Sequence, residues 1–243
     1  MASKPKVVTK YAQTKYNLTK VSNRKTAGAV KYSVTHYTGT MAYAKNNCLY
    51  FSGGDRRSSA DFFIDRDGTI YQFNANLNIY YSWHCGDGYG KYGITNYNSI
   101  GIEVVSDGCL FTEAQEEALR DLNLWLMSEY GILPKNCVRH YDASRKICPA
   151  PYAGSTVKDR RWNVLHDKIT TANKKKVVKA SKFQYKVKIN TEVLNVRKGA
   201  GTQYKIATTV EKGDVYTITA ENNGWGKLKS GAGWIKLSYT KKY

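Results

Sequence analysis

Ser99-Ile100-Gly101-Ile102-Glu103-Val104-Val105 puts Ile100, Ile102 and Val104 on one face of a strand and Glu103 on the other, because side chains alternate across an extended backbone. A helix follows closely. Thr112 and Gln115 stand in capping-box spacing, and Leu119, Leu122 and Leu126 recur at three and four residues with Ala118 and Trp125 beside them. Gly131 marks the stop. A strand leading into a helix with one apolar face is the repeating unit of an α/β domain.

Working outward, Lys31 to Thr35 reads as a first core strand that stops at His36, and Thr40 to Asn47 as a short helix. Phe62 through Phe73 is two β-rich runs around Asp67-Gly68, a hairpin signature because glycine accepts the positive φ of a tight turn. Trp83 through Gly90 is glycine-rich and reads as a surface loop. A second helix is expected over Val157 to Ile169, with Trp162, Leu165 and Ile169 inward. The first thirty residues, anchored only by Tyr11, Tyr16 and Leu18, read as an irregular arm.

The pattern changes near residue 170. Residues 171–182 are polar and lysine-rich, as expected of a basic linker between a domain over 1–170 and a module over 183–243. In that module short β runs at Tyr185–Ile189, Val193–Val196, Ile206–Val210, Val215–Ile218 and Trp225–Leu228 are separated by close turns. This grammar predicts a small all-β barrel.

With 42% hydrophobic residues the chain can bury a core. Its net charge of +19 predicts a polyanionic partner, and residues 171–243 carry 16 Lys/Arg against 4 Asp/Glu. Nucleic acid, an anionic membrane and an anionic wall polymer all qualify, although neither a nucleic-acid recognition motif nor a basic helix stands out. No apolar run approaches the roughly 18 residues of a spanning helix. The basic start has no apolar segment behind it, so synthesis in a cytoplasm without a secretory signal is expected. Five cysteines, at 48, 85, 109, 137 and 148, form no Cys-x-x-Cys pair and no complete disulfide framework, so at least one thiol should be free for another use.

One stretch concentrates chemistry: His140-Tyr141-Asp142-Ala143-Ser144-Arg145-Lys146-Ile147-Cys148-Pro149. Imidazole nitrogen and thiolate sulfur are zinc donors, and a catalytic site uses three protein ligands with the fourth position left to water. His140 and Cys148 supply two, and His36 is the best third.

Taken together, Val34-Thr35-His36-Tyr37-Thr38, Asp65 through Gln72, Trp83-His84-Cys85-Gly86, Asn98 through Glu103 and His140 through Pro149 resemble, in order, the motifs of the type 2 N-acetylmuramoyl-L-alanine amidases, over roughly residues 25–170. The resemblance implies a mixed β-sheet flanked by helices, with one zinc ion in a surface groove held by His36, His140 and Cys148. It implies hydrolysis of the amide between the lactyl group of N-acetylmuramic acid and L-alanine, with Glu103 as base and Lys146 beside the developing charge. Trp83 and His84 fall at the substrate groove. Some relatives have tyrosine where this chain has Ala60, and others histidine where it has Asp61, so the proton transfer rests on Glu103. Cys148, which relatives that only bind peptidoglycan typically lack, is retained.

Leu194 through Tyr204, Val210-Glu211-Lys212-Gly213, Asn223-Gly224-Trp225 and Gly233-Trp234-Ile235 resemble a bacterial SH3-like domain, a module that commonly binds wall peptides. Tyr204, Trp225, Trp234 and Tyr239 are its candidate wall-binding aromatics. The expectation is a monomeric, endolysin-like wall hydrolase acting on bacterial peptidoglycan after release. An endopeptidase on the same scaffold and a non-enzymatic peptidoglycan binder are the alternatives.

Overall fold

The computed structural model describes residues 2–172, 185–222 and 224–243. It divides into two compact units, Met1–Asn173 and Lys174–Tyr243, each treated by itself. The first unit runs β1 (Val7–Val8), β2 (Leu18–Lys20), β3 (Tyr32–Tyr37), α1 (Ala44–Ser52), β4 (Phe62–Ile64), β5 (Ile70–Gln72), β6 (Tyr80–Ser82) and β7 (Ser99–Val104). It continues through α2 (Glu113–Tyr130), β8 (Cys137–Arg139), α3 (His140–Ser144) and α4 (Thr156–Thr170).

Six strands form one mixed sheet in the order β1-β5-β4-β7-β3-β8. β4, β7, β3 and β8 are mutually parallel, and β5 returns antiparallel to β4 through the Asp67-Gly68 turn. The alternation read from the sequence sorts the two faces. Phe62, Ile64, Ile100, Ile102 and Val104 pack with Leu119, Leu122 and Leu126 of α2 and with Trp162, Leu165 and Ile169 of α4. On the other face Phe63 joins Phe73, Ala60 and Cys48, so α1 covers that side. No helix among the described residues is long and apolar enough to cross a membrane.

Helix α2 starts and ends as its sequence predicts. The Thr112 hydroxyl accepts from the Gln115 amide, the reciprocal bond is present, and Gly131 takes the left-handed conformation at φ 68°. α1 begins four residues later than expected. The Thr38 hydroxyl donates to the Thr40 carbonyl, the Thr40 hydroxyl accepts from the Ala42 amide and Thr40 bridges to Ser106, which together keep that stretch out of the helix. The first free helical N–H, that of Ala44, is received by Oδ2 of Asp65 in the hairpin at 3.1 Å. That cap comes from 21 residues downstream, beyond any local signal.

Two further expectations are revised. The N-terminal arm is partly regular, since β1 pairs with β5 and β2 with β6. Buried Arg24 clamps it: its guanidinium donates to the carbonyls of Leu77, Asn96, Tyr97 and Ser99. The Trp83–Gly90 segment is also less of a surface loop than its glycines suggest. His84, Cys85 and Gly88 are buried, and a Cβ on Gly88 would come within 2.2 Å of the Ala143 carbonyl oxygen.

The second unit is all β. Its strands are β9 (Tyr185–Ile189), β10 (Val193–Arg197), β11 (Ile206–Glu211), β12 (Val215–Asn222), β13 (Trp225–Leu228), β14 (Trp234–Lys236) and β15 (Thr240–Lys242). They form a seven-stranded sheet in the order β11-β10-β14-β13-β12-β9-β15. Val187, Ile189, Val196, Ile218 and Ile235 are at its core. β14 and β15 were not anticipated, being only three residues each. Most of the expected linker, residues 173–182, lies outside the described residues.

Candidate metal centre

Strand register assembles the site. His36 and Glu103 are partners in the parallel β3–β7 ladder, and Thr35 pairs with Arg139 of β8 on the other side. His36, Glu103 and His140 therefore stand at the C-terminal ends of three adjacent parallel strands, where open α/β sheets place their ligands. β3 runs one residue past His36, to Tyr37, so the histidine belongs to the strand instead of terminating it.

His140 opens the short helix α3. Arg139 fixes that turn, its backbone N–H and two guanidinium nitrogens donating to Asp142 and the third, Nη1, reaching Asp159 at 2.6 Å and the Tyr152 carbonyl at 2.7 Å. The chain then doubles back so that the Tyr141 N–H donates to the Cys148 carbonyl. This brings Cys148 beside His140 despite the eight-residue gap.

One nitrogen of His36, one of His140 and Sγ of Cys148 all lie within 4.8 Å of one another, and all three residues are buried. Nδ1 of His36 is 3.8 Å from the Cys148 sulfur. Tetrahedral zinc with ordinary bond lengths separates such donors by roughly 3.3–3.6 Å, so a small contraction would close the set. The hydrogen bonds identify the inward atoms. Nε2 of His140 is bonded to Asp87 Oδ1 at 2.7 Å, while its Nδ1 is buried with no partner. Nε2 of His36 is bonded to His84, which leaves Nδ1 facing Cys148. A buried nitrogen without a partner is costly in the absence of a ligand, so the residues fit a zinc ion.

Electrostatics keeps these groups ready to bind. Burial, reinforced by the neighbouring His140 and His84, holds the His36 pKa well below that of a free imidazole. Burial lowers that of His140 also, against the opposing bond to Asp87. Both shifts favour the neutral imidazole that a metal would require. Burial, followed by the charge of Glu103, pushes the Cys148 thiol up, so a metal must displace its proton.

Glu103 projects into this space. Its Oε1 is 3.9 Å from Nδ1 of His36, and its Oε2 is buried with no hydrogen-bond partner. Burial raises its pKa to about 8, with Lys146 pulling the other way. Lys146 is exposed, and with His84, His140 and Trp83 it lines two adjoining hollows of about 370 and 270 Å³. Trp83 is half-buried, its indole N–H donating to the Thr19 hydroxyl at 2.8 Å. His84 sits deeper, with both ring nitrogens engaged inside the protein, by His36 and by Ser99.

Two carboxylates here had no assigned role in the sequence. Asp87 sat among glycines, and nothing local links it to His140, 53 residues on. Asp61 is buried and accepts from the Asn74 amide, the Ser82 hydroxyl and the Gly101 N–H, tying β4 to β7 beneath the site. Burial raises its pKa against those bonds and the nearby Arg24. Ala60, in the α1-side core, offers no side-chain hydroxyl to the site.

In the second unit, Trp225 and Tyr239 line a hollow of about 630 Å³ together with Asn195, Arg197, Thr202 and Lys236. Lys236 Nζ lies 5.6 Å from the centre of the Trp225 ring. Tyr204 instead packs over Gly199, and neither it nor Trp234 lines that hollow.

Known proteins share both units. The family model described as N-acetylmuramoyl-L-alanine amidase matches residues 26–151, and that of the bacterial SH3 domain matches residues 192–241. N-acetylmuramoyl-L-alanine amidase CwlL of Bacillus licheniformis is 34% identical over 137 residues, covering 52% of this chain and 38% of the relative. N-acetylmuramoyl-L-alanine amidase BlyA of Bacillus subtilis is 32% identical over 146 residues, 53% of this chain and 39% of the relative. The chain thus spans about two fifths of the length of these relatives. Among solved structures, the catalytic domain of XlyA superposes with a TM-score of 0.54 at 26% identity, covering 68% of this chain and 99% of that domain. With more than half of its residues matched by one family model, the chain belongs to the N-acetylmuramoyl-L-alanine amidase family.

Proposed function

We infer that the chain is a zinc-dependent peptidoglycan hydrolase that cuts the amide between the lactyl group of N-acetylmuramic acid and L-alanine, with its C-terminal module holding it on the wall. The reading is carried by one observation: three buried donors, His36 Nδ1, His140 Nδ1 and Cys148 Sγ, converge beside a carboxylate oxygen of Glu103 that has no partner. Zinc held by these residues supplies a Lewis acid for the scissile carbonyl and lowers the pKa of water toward ~7.

The remaining chemistry belongs to side chains. Glu103 accepts a proton at Oε2 as water oxygen joins the carbonyl carbon, then returns it to the amide nitrogen as the C–N bond breaks. Its raised pKa favours keeping and returning that proton, and a divalent cation nearby draws the value back toward neutrality. Lys146, at the rim of both hollows, places positive charge where the carbonyl oxygen gains negative charge. The hollow that holds the three donors and Glu103, and the one adjoining it past His84 and His140, give the glycan and the stem peptide separate places to lie.

Trp225 and Tyr239 offer stacking surface in a hollow whose charged lining is cationic, which suits wall peptides bearing carboxylates. Weak binding there is enough, because tethering raises the concentration of wall seen by the catalytic unit. The +19 charge adds attraction to anionic wall polymers, and the protein acts as a monomer.

Mass spectrometry of digested peptidoglycan, with zinc analysis of the purified protein, tests this reading. Stem peptides beginning with free L-alanine and about one zinc per chain are expected from the three-ligand site. Peptides cut internally would mean an endopeptidase, and absence of zinc would end the metal reading.

A further inference from the structure

We propose that His84 is the positioning residue of the metal ligand His36, fixing the tautomer and ring orientation that turn Nδ1 of His36 toward the metal centre. The inference rests on the zinc reading above and adds a role for a residue that reading leaves unused.

The argument is one of hydrogen-bond direction. Ser99 Oγ lies against the carbonyl oxygen of Thr95, which can only accept, so the single hydroxyl proton of Ser99 points there. Toward His84 Nε2, 3.0 Å away, the same oxygen must therefore accept, and His84 carries its proton on Nε2. Its Nδ1 is left with a lone pair. That lone pair faces Nε2 of His36 at 3.0 Å, so His36 is the donor and its own Nδ1 is unprotonated, facing Cys148 and Glu103. A backbone carbonyl thus sets the tautomer of a metal ligand through three hydrogen bonds.

The fold holds this chain in place from several sides. The backbone N–H groups of His84 and Cys85 both donate to Asn96 Oδ1, at 3.0 and 2.8 Å. The imidazole lies directly over Gly101 in the middle of β7, where a Cβ would come within 2.5 Å of its Cγ. Glycine in a strand interior sacrifices packing and order, and here its absent side chain is the seat of the ring. Arg24 secures the far end by donating to the carbonyls of Asn96, Tyr97 and Ser99. His84 is 8% exposed, and both its ring nitrogens are committed, so it has no ring hydrogen bond to offer a substrate.

The two histidine ligands are consequently oriented by different means. His140 leans on Asp87, a carboxylate that adds negative charge to the site. His36 leans on a neutral imidazole, which gives direction without charge and preserves the electrophilic character of the centre.

Zinc affinity of the full chain, measured by competition with a chromophoric chelator, tests the proposal. His84→Phe keeps a ring over Gly101 but removes the acceptor, and affinity should fall about 10–100-fold. His84→Gln, whose amide can accept from His36 and donate to Ser99, should recover part of the loss. Unchanged affinity in His84→Phe, with the wild type binding zinc, overturns the positioning role alone; a wild type that takes up no zinc overturns the metal reading and this proposal with it. Should His84→Phe fail to fold, long-range proton–nitrogen NMR of the zinc-loaded wild type decides. His36 coordinating through Nδ1 with a protonated Nε2 is expected, and coordination through Nε2 refutes the proposal.

Discussion

Asp87 Oδ1 accepts a hydrogen bond from Nε2 of His140 at 2.7 Å, a carboxylate–histidine pair whose other ring nitrogen faces the metal centre. Such a partner fixes the ring and raises its basicity. Asp87→Ala should therefore weaken zinc binding by about 10-fold, at the lower end for such partners because the carboxylate is 47% exposed and water can take its place. Asp87→Asn, which keeps an acceptor oxygen, should lose less. Chelator competition measures both.

Glu103→Gln separates binding from chemistry. The amide is nearly isosteric and leaves His36, His140 and Cys148 in place, so zinc content should stay at the wild-type level. Amide hydrolysis should fall by about 10²–10⁴-fold, the usual worth of a positioned acid–base group. Release of L-alanine amino termini from purified walls reads the rate, and near-wild-type turnover would remove Glu103 from the mechanism.

On the zinc reading the ion binds the folded unit and not the unfolded chain, so its removal should cost stability as well as activity. At a thousandfold excess over Kd the ion stabilises by about 4 kcal/mol. Chelation should lower the melting temperature of the Met1–Asn173 unit, and added zinc should restore it. Cys148→Ser should abolish that response, because a buried serine hydroxyl is a poor substitute for thiolate at zinc.

Arg24 carries stability of another kind. Its fully buried guanidinium serves carbonyls from two parts of the chain, Leu77 and the segment from Asn96 to Ser99, and Arg24→Met would strand them without donors. A loss of about 3 kcal/mol is expected. Denaturant unfolding of the zinc-free protein would detect it, and a change below about 1 kcal/mol would mean that water replaces the guanidinium.

Periodicity made the sheet and helices legible: Ile100, Ile102 and Val104 declared one face of β7, and Leu119, Leu122 and Leu126 the helix that covers it. The convergence of His36, His140 and Cys148 was legible from residue type and motif order, with His36 reaching His140 through strand register. What escaped was every interaction made at long separation by residues of ordinary type. Asp65 capping α1, Arg24 locking the arm, and Asp87 and His84 backing the ligands leave no periodic or spacing signal, because each depends on which loops the finished fold brings together. Trp83–Gly90 was misjudged for the same reason, since its glycines serve close packing under α3 as well as turns.

The aromatic residues of the C-terminal unit divide by burial, and this yields a test of wall binding. Trp225 is 7% exposed and Tyr239 is 53% exposed, yet both line the same hollow. Truncating Trp225 opens the core, so Trp225→Ala should destabilise the unit by about 3 kcal/mol, and any loss of binding would be ambiguous. Tyr239→Ala removes mainly exposed ring surface and should leave the fold intact. If the hollow receives the wall, Tyr239→Ala should reduce co-sedimentation with purified walls by about 5–10-fold, the equivalent of roughly 1–1.4 kcal/mol of lost stacking. Tyr204→Ala, outside the hollow, should have little effect on binding. Equal losses in the two tyrosine variants would move the binding surface away from the hollow.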